Sequence, residues 1–181
     1  IGITGSNGKT VVKEWLYQLL SKDRRTIRSP KSYNSQIGVP LSVWKMEPEH
    51  DLALFEAGIS LPGEMEKLEK IILPTIGVLT NIGEAHSEGF ISLEQKEAEK
   101  RILFKNAVQP PALEIVEIKK QANGTVIYAK SKTSLSKTIS IEIPFTDDAS
   151  VQNAITCWQV ILMLGYDNEV IKDRMKLLLP V

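Results

Sequence analysis

The chain has 181 residues, 43% hydrophobic and 24% charged, which suits one domain with a sizeable core and is marginal for two. Lys plus Arg and Asp plus Glu balance at 22 each, which argues against a basic nucleic-acid binder or a polyacidic tail. The lone Cys157 excludes an internal disulfide framework and a cysteine-rich metal site, and no apolar run approaches the ~18 residues of a membrane span. With no signal peptide visible either, the expected setting is the cytoplasm, with neither membrane nor nucleic acid as partner.

Apolar runs alternate with helical patterns, the arrangement of βαβ units around a parallel sheet. Ile1–Thr4 reads as a buried strand, and Thr10–Ser21 as a helix with Val12, Trp15, Leu16, Leu19 and Leu20 at helical spacing. Thr26–Ser29 reads as a second strand, Pro30–Gln36 as polar loop and Val39–Met46 as a short helix. Leu52–Glu56 is a strand ended by Gly58. Pro62–Leu73 is a helix with Pro at its start and Pro74 past its end. Ile76–Thr80 is a strand, and Ser92–Asn106 a helix with Ser92 as N-cap and Gln95 three residues on.

The pattern then turns antiparallel. Leu113–Lys119 and Thr125–Lys130 flank Asn123-Gly124, a hairpin signal, and Ile139–Ile143 adds a third strand. Val151–Leu164 and Asn168–Leu179 close the chain as helices. The expected fold is therefore α/β: a P-loop-type, mostly parallel sheet flanked by helices, with a small antiparallel β extension. The abrupt first strand and the final Leu177-Leu178-Leu179-Pro180-Val181 lead us to expect residues 1–181 to be one domain of a longer chain. Trp15, Trp44, Trp158 and Cys157 are expected in the core, and His50 in solvent.

The segment Thr4-Gly5-Ser6-Asn7-Gly8-Lys9-Thr10 lies between a strand and a helix, and that context matters more than the letters. Gly5 and Gly8 let backbone N–H groups turn inward. Together with the helix N-terminus those groups make an anion site. Lys9 is placed to reach β- and γ-phosphates, and the Thr10 hydroxyl to ligate Mg²⁺. The spacing departs from the general G-x-x-x-x-G-K-[ST] pattern, which would need glycine where Ile3 stands. Phosphate binding alone does not identify a reaction.

Four segments carry a resemblance. The variant T-G-x-N-G-K-T is similar to the Mur ligase superfamily, which also includes folylpolyglutamate synthases. Ser29-Pro30-Lys31-Ser32-Tyr33-Asn34-Ser35-Gln36 before Ile37-Gly38-Val39-Pro40, then Glu56-Ala57-Gly58, then Thr80-Asn81-Ile82-Gly83-Glu84-Ala85-His86 with Glu88-Gly89-Phe90, resemble that family's branch that adds D-alanyl-D-alanine.

The resemblance implies a chemistry. ATP phosphorylates the carboxylate of a UDP-MurNAc-tripeptide, and the amine of D-alanyl-D-alanine attacks the acyl phosphate. A carboxylate is a poor electrophile until its oxygen becomes a leaving group, and the charge that develops on the phosphoryl needs fixed cations. Gly5, Ser6, Asn7, Gly8, Lys9 and Thr10 are thus expected to hold ATP, with Asn81 shaping the site. Glu56, at a strand's C-terminal end where open α/β sheets place ligands, is implied as a Mg²⁺ ligand. Otherwise it is an exposed strand-end carboxylate. His86 matches a family histidine that helps bind a second Mg²⁺, although imidazole is not a preferred ligand of that ion; on chemistry alone it would be a hydrogen-bonding loop residue.

Lys100 shares a helical face with Leu93, Glu97 and Phe104. One reading is a side chain snorkelling from the core edge. The other, implied by the family, is a lysine carrying a CO₂-derived carbamate, an oxygen ligand suited to Mg²⁺. Partial burial would lower the lysine pKa and supply the neutral amine. Arg101 is its neighbour should the register differ by one.

Asp148-Ala149-Ser150-Val151-Gln152-Asn153-Ala154 resembles a family H-N-x-x-N-A segment, in which Asn153 matches an adenine contact and Ala149 and Ser150 depart from the pattern. Asn34, Ser35 and Gln36 are candidates for contacting the UDP-sugar peptide. Family members carry a further strand and an acidic loop where Asn106-Ala107-Val108-Gln109-Pro110-Pro111 leads almost directly into the hairpin. The N-terminal UDP-binding domain and the C-terminal domain of such ligases are expected as flanking domains of the same chain. Another Mur ligase or a folylpolyglutamate synthase is the alternative within the superfamily, the latter disfavoured by Ile37-Gly38-Val39-Pro40 and Glu84-Ala85-His86-Ser87-Glu88-Gly89. A P-loop kinase or GTPase is the alternative class, but we find neither a clear Walker B Asp nor a guanine-selective motif. Against a non-catalytic nucleotide-binding module stand Lys9, Thr10, Glu56, His86 and Lys100 together.

Overall fold

The computed structural model describes residues 1–83, 89–130 and 138–181, which form two compact units, Ile1–Gln109 and Pro110–Val181. In the first unit, strands β1 (Gly2–Thr4), β2 (Thr26–Arg28), β3 (Leu52–Glu56) and β4 (Gly77–Leu79) form a parallel sheet in the order β2-β3-β1-β4. Helices α1 (Lys9–Leu20), α2 (Gly38–Val43) and α3 (Glu64–Ile72) connect the strands, α4 (Leu93–Arg101) follows β4, and a 3₁₀ turn, Ile102–Phe104, follows α4.

Strand order fixes the layers. The step from β1 to β2 runs one way along the sheet, and the steps from β2 to β3 and β3 to β4 run the other. Right-handed crossovers therefore put α1 on one face and α2 and α3 on the opposite one. Burial agrees. On α1, Val12, Trp15, Leu16, Leu19 and Leu20 are buried. On the other face, Val39 of α2 and Met65 and Leu68 of α3 cluster with Ala57, Ile59, Leu103 and Phe104. β1 lies where the strand order reverses, which puts the loop after it in the crevice at the strands' C-terminal ends.

Beyond β4 the next strand position is held by a single parallel bridge, Ile76 with Val108, secured by Gly77 N–H to Val108 O at 3.0 Å and Val108 N–H to Thr75 O at 3.0 Å. This short contact stands where the resemblance puts a fuller strand in family members and where the sequence leads almost directly into the hairpin.

The second unit is an antiparallel sheet, β5 (Glu114–Gln121), β6 (Gly124–Lys130) and β7 (Thr138–Ile143), with helices α5 (Asp148–Met163) and α6 (Asn168–Met175). Asp147 caps α5, accepting from Ser150 N, and Asp167 caps α6, accepting from Glu169 N. Trp158 Nε1 donates to Asn168 Oδ1 at 3.0 Å, and Asn168 Nδ2 donates to Ser140 O at 3.1 Å, tying α5, α6 and β7 together.

Three expectations need correction. Gln121 pairs with Gly124, so the hairpin turn is Ala122-Asn123 rather than Asn123-Gly124. Gly124 is instead needed in the strand, because a Cβ there would lie 2.5 Å from Ile143 O. Trp44 is 85% exposed rather than in the core, since α2 ends at Val43 and only Gly38, Val39 and Ser42 of it face inward. The helix expected from Pro62 begins at Glu64, because Gly63 turns left-handed at φ 80° as its N-cap. Trp15, Trp158 and Cys157 are buried as expected.

Candidate functional site

The loop Gly5–Gly8 joins the end of β1 to α1 and is built for close backbone approach. Gly5 has φ 149°, and a Cβ on it would lie 2.0 Å from Thr80 Oγ1. Gly8 is the N-cap of α1 at φ 80°, with no side chain capping the helix. The first-turn N–H groups of α1 therefore form an anion-binding helix end. The loop is braced from the β4 side: Asn7 N–H donates to Asn81 Oδ1 at 2.7 Å, Ser6 N–H donates to Asn81 O at 2.8 Å, and Thr80 Oγ1 donates to Asn7 O at 2.5 Å. Ser6 Oγ donates to Gly83 O at 3.1 Å and accepts from Gly83 N–H at 3.0 Å.

Two lysines from separate helices meet at one carbonyl. Lys9 Nζ donates to Gly5 O at 2.9 Å and to Ser6 O at 3.2 Å, folded back across its own loop. Lys100 Nζ, from α4, donates to the same Gly5 O at 3.2 Å. Burial, followed by the like charges of Lys9 and Lys96, pushes the Lys100 ammonium down to about 8. Burial also pulls Lys9 below its ordinary value; Glu56 opposes this, and Lys96 adds to it.

Glu56 ends β3 and is fully buried, so it is not the exposed strand-end carboxylate of the alternative reading. Thr10 Oγ1 donates to Glu56 Oε2 at 3.1 Å, and Asn34 Nδ2 lies 3.5 Å from the same oxygen. Glu56 Oε1 lies 3.0 Å from Lys13 Nζ, an ion pair without hydrogen-bond alignment. The hydroxyl and carboxylate oxygens of Thr10 and Glu56 form a hard-oxygen pair of the kind Mg²⁺ takes.

A cavity of about 300 Å³ opens beside this centre. Gly5, Ser6, Lys9 and Lys100 line one side of it, and Asn34, Ser35, Gln36 and Ile37 another. All three candidate substrate contacts thus face the cavity. Ser35 Oγ also accepts from Gly38 N–H at 3.2 Å, bracing the start of α2, and Gln36 Nε2 donates to Glu64 O at 3.2 Å.

Lys9, Thr10, Glu56, Asn81 and Lys100 are therefore brought together. Asn153 lies part-buried on α5 in the second unit, whereas every cavity-lining residue belongs to the first. His86 lies outside the described residues. Two site residues were missed in the sequence, Lys13 and Lys96. Lys96 is buried one turn before Lys100, and its Nζ donates to Gly83 O at 2.6 Å. Lys13 precedes the buried Leu16 and Leu20 by three and seven residues, and that spacing was the available signal.

The model of the Mur ligase middle domain matches residues 3–177. The UDP-N-acetylmuramoyl-tripeptide–D-alanyl-D-alanine ligase of Borreliella burgdorferi is 46% identical over 107 residues, covering 59% of this chain and 23% of that protein. Among solved structures, MurF from Acinetobacter baumannii superposes with a TM-score of 0.88 at 23% identity, covering 99% of this chain and 46% of that one. MurF ligase from Thermotoga maritima in complex with ADP gives a TM-score of 0.84 at 23% identity, covering 99% of this chain and 48% of that one. The chain thus spans about a quarter of that curated relative's length and about half of these structures.

Proposed function

Because the chain belongs to the Mur ligase family through its middle domain, we propose that it is the ATP-binding part of an amide ligase that joins D-alanyl-D-alanine to a UDP-MurNAc-tripeptide. The observation that carries this reading is the meeting of Lys9 and Lys100 at Gly5 O, beside the Thr10–Glu56 oxygen pair. A phosphoryl group in transfer needs a fixed cation, here Lys9, together with helix-end N–H groups and oxygen ligands for Mg²⁺, a set that a carbamate on Lys100 would extend. When bound, ATP with Mg²⁺ would supply the phosphoryl group that turns the tripeptide carboxylate into an acyl phosphate, leaving ADP; the amine of D-alanyl-D-alanine would then attack the acyl carbon, forming the amide and releasing phosphate and a proton.

The chain's own residues have distinct tasks. Lys9 is placed to swing from its loop carbonyls to the β- and γ-phosphates. Thr10 and Glu56 would hold Mg²⁺. Asn81 fixes the curvature of the loop through Asn7. Asn34, Ser35 and Gln36 line the wall where the UDP-sugar peptide would lie. The neutral Lys100 amine would attack CO₂ carbon and release a proton, and the resulting carbamate would turn a cation into an anionic oxygen ligand. His86 for a second Mg²⁺ and Asn153 for adenine stay proposals on the strength of sequence likeness, as do the flanking domains.

The test is ADP release by the full-length parent protein. Release is expected to require both UDP-MurNAc-tripeptide and D-alanyl-D-alanine, and Lys9→Met is expected to lower it by on the order of a hundredfold. Dependence on a folate substrate instead would overturn the assignment.

A further inference from the structure

Lys13 is fully buried on α1, one turn past Thr10, and its ammonium has partners on three sides. It lies 3.0 Å from Glu56 Oε1 and 3.1 Å from Glu14 Oε1. It donates to Ser29 O at 2.8 Å and to Lys31 O. Lys31 is left-handed at φ 49°, a conformation shared with only one other non-glycine residue, Leu73, among the described residues, and non-glycine residues adopt it at a cost. The ammonium therefore gathers the carbonyls of a disfavoured turn against the carboxylate that ends β3.

The same turn grips Glu56 elsewhere. Glu56 N–H donates to Ser29 Oγ at 3.1 Å, Asn34 Nδ2 lies 3.5 Å from Glu56 Oε2, and Gly58 N–H donates to Asn34 O at 2.8 Å. Glu14, Lys13's second carboxylate, is itself held by Arg28 Nε at 2.9 Å. One carboxylate oxygen is thereby committed to Lys13, and the other is left for Thr10 and Asn34. Fixing a ligand's orientation from behind is how an outer contact tunes a metal site.

We propose that Lys13 is a positioning residue: it locks the Glu56 carboxylate so that Oε2 faces Thr10, and ties that carboxylate to the Asn34–Gln36 wall of the cavity. This rests on the ATP–Mg²⁺ reading of the site, though not on which acid and amine are joined.

The test uses the full-length protein and calorimetric titration of ADP with and without Mg²⁺. In Lys13→Met, ADP affinity without Mg²⁺ is expected to stay near wild type, while the gain conferred by Mg²⁺ falls at least about tenfold. Glu56→Gln is expected to lose that gain as well, and adding Lys13→Met to Glu56→Gln to change it no further, because both act through one carboxylate. Equal loss of ADP affinity with and without Mg²⁺, or losses that add in the double variant, would mark Lys13 as only structural and overturn the proposal. Should Lys13→Met fail to fold, Lys13→Gln keeps a donor in the same place and is read by the same ratio. Wild-type protein whose ADP binding ignores Mg²⁺ would instead overturn the functional reading on which this stands.

Discussion

Lys100 is 3% exposed on α4, and burial ahead of the like charges of Lys9 and Lys96 brings its ammonium down to about 8. At pH 7 about one such lysine in ten is neutral, against roughly one in three thousand at the ordinary value of 10.5. That fraction is what reaction with CO₂ requires, and it has a consequence for stability. Below about pH 8 the side chain is charged both folded and unfolded, so the burial penalty is fully present. Between about 8 and 10.5 the folded form releases its proton while the unfolded chain keeps it, and the penalty fades as pH rises. Lys100→Met should therefore melt above wild type at pH 7 without nucleotide, and the gap should narrow towards pH 10. A gap that stays constant with pH would show that the ammonium is not destabilised by its surroundings. Lys100 was singled out through the family resemblance, and it is buried as one reading of its partly apolar face required, although Leu93 on that face is 42% exposed. Lys13 was not, because a lysine beside an apolar stripe normally lies on the surface, and partners mostly far along the chain, the Glu56 carboxylate and the carbonyls of Ser29 and Lys31, make its burial tolerable.

Elements were legible in kind and order, and their ends were not. The alternation of apolar runs with helical spacing gave all four parallel strands and the helices between them, because those signals are local. Ser92 as the α4 N-cap was equally local, and its side chain accepts from Gln95 N. Ends depend on partners that the spacing does not contain. The helix expected to reach Asn106 passes into the 3₁₀ turn at Ile102, where Leu103 and Phe104 join the cluster under α3. That turn constrains β4. A Cβ on Gly77 would lie 2.1 Å from Phe104 Cδ1, so the strand and the aromatic ring share one space. Gly77→Ala should cost about 1–3 kcal/mol by overpacking, read as a lower denaturation midpoint at unchanged slope. Adding Phe104→Leu should return part of that loss. If the two losses simply add, the close approach is not the cause.

At the scale of the whole molecule, the sheet order β2-β3-β1-β4 was not legible, because right-handed crossovers fix the face each helix covers only once the order is known and are compatible with several orders. The division at Gln109/Pro110 into two units falls where the pattern turns from strand–helix alternation to a hairpin, so a change of architecture there was legible. The first unit alone brings together Lys9, Thr10, Glu56 and Lys100, so the residues proposed for phosphate and metal are concentrated there. Amide formation asks for more: two further reactants must be held in line with the phosphoryl group, and effective molarity is lost steeply when one of them is free to tumble. The chain matches 23% of the length of the Borreliella ligase, so most of that protein's length lies outside the matched region. A polypeptide of residues 1–181 should therefore form amide product at under about a hundredth of the parent's rate, measured as D-alanyl-D-alanine incorporated at saturating ATP. A fragment approaching the parent's rate would mean that the wall of Asn34, Ser35 and Gln36 suffices to place the acid, and that the amine needs no site beyond these two units.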